Sequence, residues 1–393
     1  MSYYPEYACT TSPAEALAQE LAQNISGILS VIGSAMIVTD IIRKLICGAQ
    51  TDSYQRVMLG LSLFDMLHSF FDSVLGTMMT PTESGWIKAF GNQSSCTVQG
   101  FFSALGFTGA FGYQIALSTN ILMLITFGWT QKKFAQCMEV PMHICIVSIA
   151  VIYAIIPLPF QGYNAFCGQC LWFTLLDESG DVIRGSQVQS DVYWTLFFLY
   201  IWIMLIYCSV AMVSVYNTVR KQETRMIRYA VSGASEEDHF RESKRIRKIL
   251  LLYTLTLYFC WGIPFPLEVI IWRIGGLDAW IACPFVIKFI RELLIPLTGW
   301  FNMLVYFMPK CLKYQRKNNT CLITSYFHVI LGCGWSGVFC WRCCKMYTDE
   351  NDDNDEDEES ILNFSKFNSS SKSGVVQLNE VQVATDADVI LHL

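Results

Sequence analysis

Seven long apolar stretches, joined by loops whose basic residues gather on one side, constrain this chain more than any other feature. A spanning helix needs about 20 apolar residues to cross about 30 Å of hydrocarbon. The stretches lie at 25–47, 56–79, 97–129, 140–160, 192–216, 248–272 and 284–308. With 53% hydrophobic and 15% charged residues in 393, the chain is too apolar for a water-soluble fold of this length. The expected fold is an all-α membrane protein, a seven-transmembrane helix bundle. The third stretch is the longest, which suits a tilted central helix that continues past the bilayer.

Lys and Arg beside a span tend to stay cytoplasmic. Arg43, Lys44 and Arg56 flank the first loop, Lys132 and Lys133 the third, and nine basic residues from Arg220 to Lys248 the fifth. Six more follow the seventh stretch, from Lys310 to Lys345. The opposite loops hold Lys88, Arg184 and Arg273. This bias predicts an external amino terminus and an internal carboxyl tail. The formal charge of -6 comes from nine acids between Asp349 and Glu359, so it implies nothing about nucleic acid. No basic region precedes an early apolar run, so helix one is expected to act as an uncleaved anchor. The expected divisions are a short external segment 1–24, the bundle 25–308, a membrane-associated Cys-rich segment 309–348 and an acidic, Ser-rich tail 349–393.

Of sixteen cysteines, Cys9, Cys96, Cys167, Cys170 and Cys283 fall on the predicted outer side. Cys96 opens helix three, and a bridge to the second outer loop would tie that loop over the bundle mouth. The partner stays open between Cys170, which is favoured, and Cys167; a bridge within Cys167-Gly-Gln-Cys170 is the alternative. Asn92-Gln93-Ser94 is a glycan acceptor pattern in the first outer loop.

Ionisable groups in hydrocarbon are costly and face the bundle interior. Helix two carries Asp65, Ser69 and Asp72 at spacings that put them on one face. Helix three adds Gln99, Ser103, Gln114 and Asn120, and helix six adds Glu268. Helix seven has a polar stripe through Lys288, Arg291 or Glu292, Gly299, Asn302 and Tyr306. The candidate ligand contacts are Asp72, Gln99, Ser103, Glu268, Lys288, Arg291 and Glu292. The candidate switch is Asp65, Asn120, Trp261, Pro264, Asn302 and Tyr306. The bland alternative is internal pairing, Lys288 with Glu292 being the obvious case. Proline at 264, 266 and 296 marks hinges or static kinks.

Together these residues resemble the G-protein-coupled receptor superfamily over about 25–315. Leu61-Ser62-Leu63-Phe64-Asp65 resembles the helix-two motif that ends in a central aspartate, and Cys96 matches the helix-three bridge cysteine. Cys260-Trp261-Gly262-Ile263-Pro264 resembles the helix-six Cys-Trp-x-Pro motif with one extra residue. Asn302-Met303-Leu304-Val305-Tyr306 resembles Asn-Pro-x-x-Tyr with methionine for proline. Thr126-Phe127-Gly128-Trp129 stands where Asp-Arg-Tyr would be, and Gly-Trp-Phe-Asn-Met-Leu-Val-Tyr is similar to the cyclic-AMP-receptor-like and secretin-like branch.

The resemblance implies a plasma-membrane receptor, not an enzyme, that passes the signal of a small extracellular ligand to a heterotrimeric G protein. The basic inner face, with Lys132, Lys133, Arg220, Arg225, Arg245, Arg247 and Lys248, is the candidate coupling surface; lipid anchoring is the alternative. Residues 309–317 are expected to form a short amphipathic helix on the membrane surface. Residues 321–341 are read as interfacial, or else as an eighth span, with Cys333, Cys340, Cys343 and Cys344 as acylation candidates. The tail serines suit a receptor kinase or an arrestin-like protein. No metal or cofactor is expected. The competing classes are a seven-span transporter or channel, for which no internal repeat is evident, and a retinal photoreceptor using Lys288.

Overall fold

The computed structural model describes residues 12–176, 181–229, 252–253, 255–266, 284–318 and 321–334. The chain folds as a seven-helix bundle. Helix one is Pro13–Ile46, and helix two is Ser53–His68 continued by a π-turn at Ser69–Val74. Helix three is Gln93–Ile125. Helix four is Val140–Ile155, entered through Gln131–Phe134 and a π-turn at Ala135–Glu139. Helix five is Gln187–Tyr229, and the described part of helix six centres on a π-turn at Tyr258–Gly262. Helix seven runs from Phe285–Leu294 through a single 3-10 turn at Ile295–Leu297 into Thr298–Asn318. Among the described residues, five stretches are long and apolar enough to cross a membrane: Pro13–Ile46, Ser53–Val74, Gln93–Ile125, Gln131–Phe160 and Gln187–Lys221.

Helix one starts at residue 13, not at 25. Its first turns, Pro-Ala-Glu-Ala-Leu-Ala-Gln-Glu-Leu-Ala-Gln, are rich in strong helix formers. Ser12 caps them by accepting the Glu15 N–H, with Pro13 at the first helical position. Much of the segment expected as an external tail is therefore about three more turns of helix one. The buried stripe of this helix is mostly small or polar, Gln19, Glu20, Gln23, Ser26, Gly27, Ser30, Gly33, Ser34 and Asp40, with Ile37 and Ile41 completing it. Leu17, Leu21, Ile25, Ile28 and Ile32 point outward. That inversion of the soluble pattern is what a helix facing lipid needs. Helices four and five also point apolar side chains outward, Ile144, Ile152, Ile203, Ile206, Val210 and Val213.

Close approach replaces hydrophobic burial as the source of packing energy inside the bundle. A Cβ on Gly33 would lie 2.9 Å from the Gly299 carbonyl oxygen and from Trp300 Cα. Helices one and seven thus meet backbone to backbone, and the Gly299 N–H donates to Ser30 Oγ at 3.0 Å. Helix three stands at the centre, touching helices two, four and five. A Cβ on its Gly106 would meet the His68 backbone nitrogen at 2.5 Å.

The second outer loop makes two small antiparallel pairs, β1 (Tyr163–Phe166) with β2 (Gln169–Trp172), and β3 (Leu175–Leu176) with β4 (Val182–Arg184). Cys170 is bridged to Cys96, which excludes a bridge within Cys167-Gly-Gln-Cys170. Cys167 is itself disulfide-bonded. The β1–β2 hairpin is thereby held across the mouth of the bundle.

Beyond helix seven the order differs from the expectation. Residues 309–317 are not a separate surface helix; helix seven carries them on through Pro309. The separate short helix, helix eight, is Leu322–Gly334. It packs on helix seven, with the Tyr326 hydroxyl donating to Leu304 O at 2.7 Å and His328 stacked on Tyr314. Its 13 described residues measure about 20 Å.

Gly33→Val should force helices one and seven apart, because the atoms it meets are backbone and cannot rotate away. The expected loss is about 1–3 kcal/mol of stability, seen as a lower melting temperature of the purified protein in detergent.

Candidate functional site

The charge bias of the loops predicts that the end of the bundle carrying Cys96 is the outer one, and the two ends are named by that expectation. A cavity of about 440 Å³ opens there. Helix one contributes Gln19, Glu20 and Gln23 to its wall, helix seven Lys288, Arg291 and Glu292, and the hairpin Phe166, Gln169 and Leu171. Both charge signs are present and largely matched. Lys88 lies 3.2 Å from Glu20, and Arg291 is paired with Glu292. Thr77 donates to the same Glu20 oxygen at 3.3 Å.

Below it lies a smaller chamber of about 90 Å³ that shares Gln169, Leu171, Trp194 and Arg291 with the outer cavity. Its walls are mostly aromatic, and its polar groups are Asp72, Ser103, His68, Gln169 and Arg291. Ser103 Oγ donates to Asp72 Oδ1 at 2.8 Å, and Gln169 Nε2 donates to Asp72 Oδ2 at 3.4 Å. Tyr163 closes the chamber from the hairpin, its hydroxyl donating to Ala154 O at 2.8 Å. Burial pushes that phenol well above its ordinary range, so it remains a donor.

The chamber floor is Trp261. Its ring packs against Phe107 and Phe111, with centroids 5.4 and 4.6 Å away, and its Nε1 donates to Thr298 Oγ1 at 3.1 Å. The π-turn at Tyr258–Gly262 takes in one extra residue. This accounts for the Cys-Trp-Gly-Ile-Pro spacing: the insertion is absorbed by the helix, so Trp261 still faces inward and Pro264 is buried beyond it. A second π-turn, at Ser69–Val74, splits the face expected of helix two. Asp65 and Ser69 look toward helices one and seven, while Asp72 turns to helix three.

Beneath Trp261 a polar seam joins helices one, two and seven. Asn302 Nδ2 donates to Asp65 Oδ2 at 2.9 Å, and Ser69 Oγ donates to Ser30 Oγ at 3.0 Å. One and two turns further along helix seven, the Tyr306 hydroxyl donates to Asp40 Oδ2 at 2.7 Å and Lys310 Nζ reaches Asp40 Oδ1 at 2.8 Å. Asp40 is only 2% exposed. At the inner ends, Arg56 Nη2 and Ser53 Oγ both donate to Glu139 Oε2 at 2.9 Å, joining helix two to helix four. Tyr113 OH and His143 Nδ1 are 2.7 Å apart, joining helix three to helix four, and the Tyr54 and Tyr253 hydroxyls, also 2.7 Å apart, link helix two to helix six.

The structure brings together most of the candidates that the sequence offers. Lys288, Arg291 and Glu292 line the outer cavity, and Asp72 and Ser103 the inner chamber. Gln99 does not line either; it is fully buried behind the hairpin, where its Oε1 accepts the Cys170 N–H at 2.7 Å. Asn120 is fully buried, and its amide has no hydrogen-bond partner among the described residues. Asn92 caps helix three, its Oδ1 accepting from Ser94 and Ser95. Lys132, Lys133 and Arg220 are exposed at the inner end. Glu268, Arg245, Arg247, Lys248, Cys340, Cys343 and Cys344 lie outside the described residues, as do the side chains of Arg225 and Cys333.

Asp40, Lys310, Glu20 and Glu139 stand outside the sequence candidates and are supplied by the structure. Asp40 is recoverable from the chain, since it is an ionisable residue inside the apolar stretch 25–47. Glu20 is not, because it precedes that stretch.

No known protein family's sequence profile matches the chain, and no curated protein matches it in sequence. Its structure is similar to the crystal structure of squid rhodopsin, with a TM-score of 0.57 at 15% identity, over 90% of this chain and 95% of that one. The two share a fold. At that identity nothing further transfers, and the residues above rest on their own geometry.

Asp40→Asn removes the carboxylate that faces Lys310, whose side chain is 21% exposed. Breaking a largely buried pair in this way should cost about 3 kcal/mol. The double variant Asp40→Asn, Lys310→Met should be less destabilised than the sum of the single changes. Thermal unfolding of the three variants beside the parent chain measures this.

Proposed function

We propose that this protein is a G-protein-coupled receptor of the plasma membrane that turns an extracellular small ligand into nucleotide exchange on a heterotrimeric G protein. The observation that carries the reading is the stacked arrangement within a rhodopsin-like fold. An outer cavity leads to an aromatic chamber floored by Trp261, and Trp261 stands directly on the Asp65–Asn302 seam. A ligand in the chamber presses on a ring whose helix is already loosened by a π-turn and by Pro264. Coupling then needs only a difference in ligand affinity between two helix arrangements.

The switch is assigned to Asp65, Asn302 and Tyr306, with Trp261 as its upper contact and Pro264 as the hinge. Asn120 is assigned to it as a fully buried amide on the central helix. The inner receiving surface is assigned to Lys132, Lys133 and Arg220 with the basic residues that follow helix five. Within the superfamily, the Gly-Trp-Phe-Asn run supports the cyclic-AMP-receptor-like branch. A glycan on Asn92 is compatible with its capping role, since Oδ1 makes the cap bonds.

A retinal pigment is less well supported. Lys288 lines only the outer cavity, and no lysine lines the inner chamber among the described residues.

Two measurements test this. After nucleotide depletion, the protein in its native membranes should retain a G-protein α subunit and release it on addition of a GTP analogue; a solute flux without any such partner would favour the transporter class. Incubation with retinal should leave the visible absorption spectrum blank, whereas a visible band abolished by Lys288→Ala would move the assignment to a photoreceptor.

A further inference from the structure

A receptor needs a ligand of definite chemistry, and the mixed charges of the outer cavity do not decide it. The inner chamber does. Asp72 is its carboxylate, and both donors to it are neutral, the Ser103 hydroxyl at 2.8 Å and the Gln169 amide at 3.4 Å. Among the described residues no cationic side chain pairs with Asp72. His68, also in the wall, has its Nδ1 3.5 Å from Ser103 Oγ. Arg291 is the one guanidinium among the described residues that line the chamber, and it is already matched by Glu292. A carboxylate offers about four lone-pair sites, so Asp72 keeps acceptor capacity after both neutral bonds are made.

The walls around it are ring faces and edges from Phe107, Trp172, Tyr193, Trp194, Phe197 and Trp261. They are locked against one another, Phe107 on Phe197 at 4.8 Å and Trp172 on Tyr193 at 4.1 Å between centroids. A preformed aromatic enclosure around a carboxylate favours a cation, which gains from the ring quadrupoles as well as from the charge. An anion placed there would face Asp72 at short range in a poorly solvated space.

We propose that the inner chamber is a subsite for an organic ammonium group, with Asp72 as its counter-ion and the aromatic rings as its enclosure. The rest of the ligand extends upward past Trp194 and Arg291 into the outer cavity. The chamber, at about 90 Å³, is sized for a head group, and the outer cavity, at about 440 Å³, for the body of a small molecule. Ser103 and Gln169 position the carboxylate rather than bind the cation. This assignment rests on the receptor reading only for its meaning, because the binding itself involves no partner protein.

The test is direct binding to the purified full chain in lipid nanodiscs, with three probes of one shape: phenethylamine, phenethyl alcohol and phenylacetate. Phenethylamine should bind and raise the melting temperature, and the other two should bind about tenfold more weakly or not at all. Asp72→Asn should weaken the amine about tenfold or more while leaving the weak alcohol binding unchanged, and Asp72→Glu should restore part of it. The wild-type comparison is decisive even if Asp72→Asn does not fold. Equal binding of amine and alcohol, preference for phenylacetate, absence of amine binding, or an amine affinity untouched by Asp72→Asn would each overturn the assignment. Because no G protein is present, such a failure leaves the receptor reading to the nucleotide-release experiment.

Discussion

The bundle depends on one constraint: polar groups carried into hydrocarbon must find their partners inside the protein. Helix one shows the consequence most plainly. Its inward face is largely Gln, Glu, Ser, Gly and Asp, with Ile37 and Ile41 toward one end, and its outward face is Leu and Ile. Two of the inward groups find partners on helices two and seven, Ser30 with Ser69 and the Gly299 N–H, and Asp40 with Tyr306 and Lys310. Single interhelical hydrogen bonds in membranes contribute only about 0.6 kcal/mol on average, so the seam acts less as glue than as a register. It fixes which turn of helix seven lies against which turn of helices one and two, and the glycine contacts let the backbones come close enough for those bonds to form.

That register also arranges the proposed signalling path. The Trp261 ring rests on the upper end of the seam, and the disulfide-tethered hairpin closes the chamber from above. Two π-turns make this geometry possible. One rotates Asp72 away from the Asp65 face and into the chamber; the other lets a sequence with one residue too many still present Trp261 inward. π-turns are rare local departures from the α-helix and collect at functional sites. Both lie at the level where the chamber meets the seam, where the proposed switch needs a helix that can rearrange.

Much of the architecture is legible in the chain itself. Seven apolar stretches predict the bundle, and Cys96 with Cys170 or Cys167 predicts the tether, whose partner the structure decides as Cys170. Lys288, Arg291 and Glu292 are recognisable as one helix face, and Asp65, Asn302 and Tyr306 as deep polar residues. The misplacements have physical causes. Residues 13–24 are polar enough to look like a tail, yet Ala, Leu, Glu and Gln are good helix formers and Ser12 caps them. Proline at 309 suggests the end of helix seven, but the helix continues through it. Gln99 has the right depth for a ligand contact, but its side chain is taken up by the hairpin backbone.

What the sequence determined by itself was hydrophobic length, charge placement and periodicity, because these depend on each residue's own affinity for lipid or water. The tertiary structure alone decided which polar groups meet. Whether Asp72 shares the face of Asp65 or enters an aromatic chamber depends on a single inserted residue in a π-turn. Whether Asp40 meets Lys310 depends on the approach of two helix positions 270 residues apart in the chain. Such pairings are set by three-dimensional register, which no local pattern in the chain records.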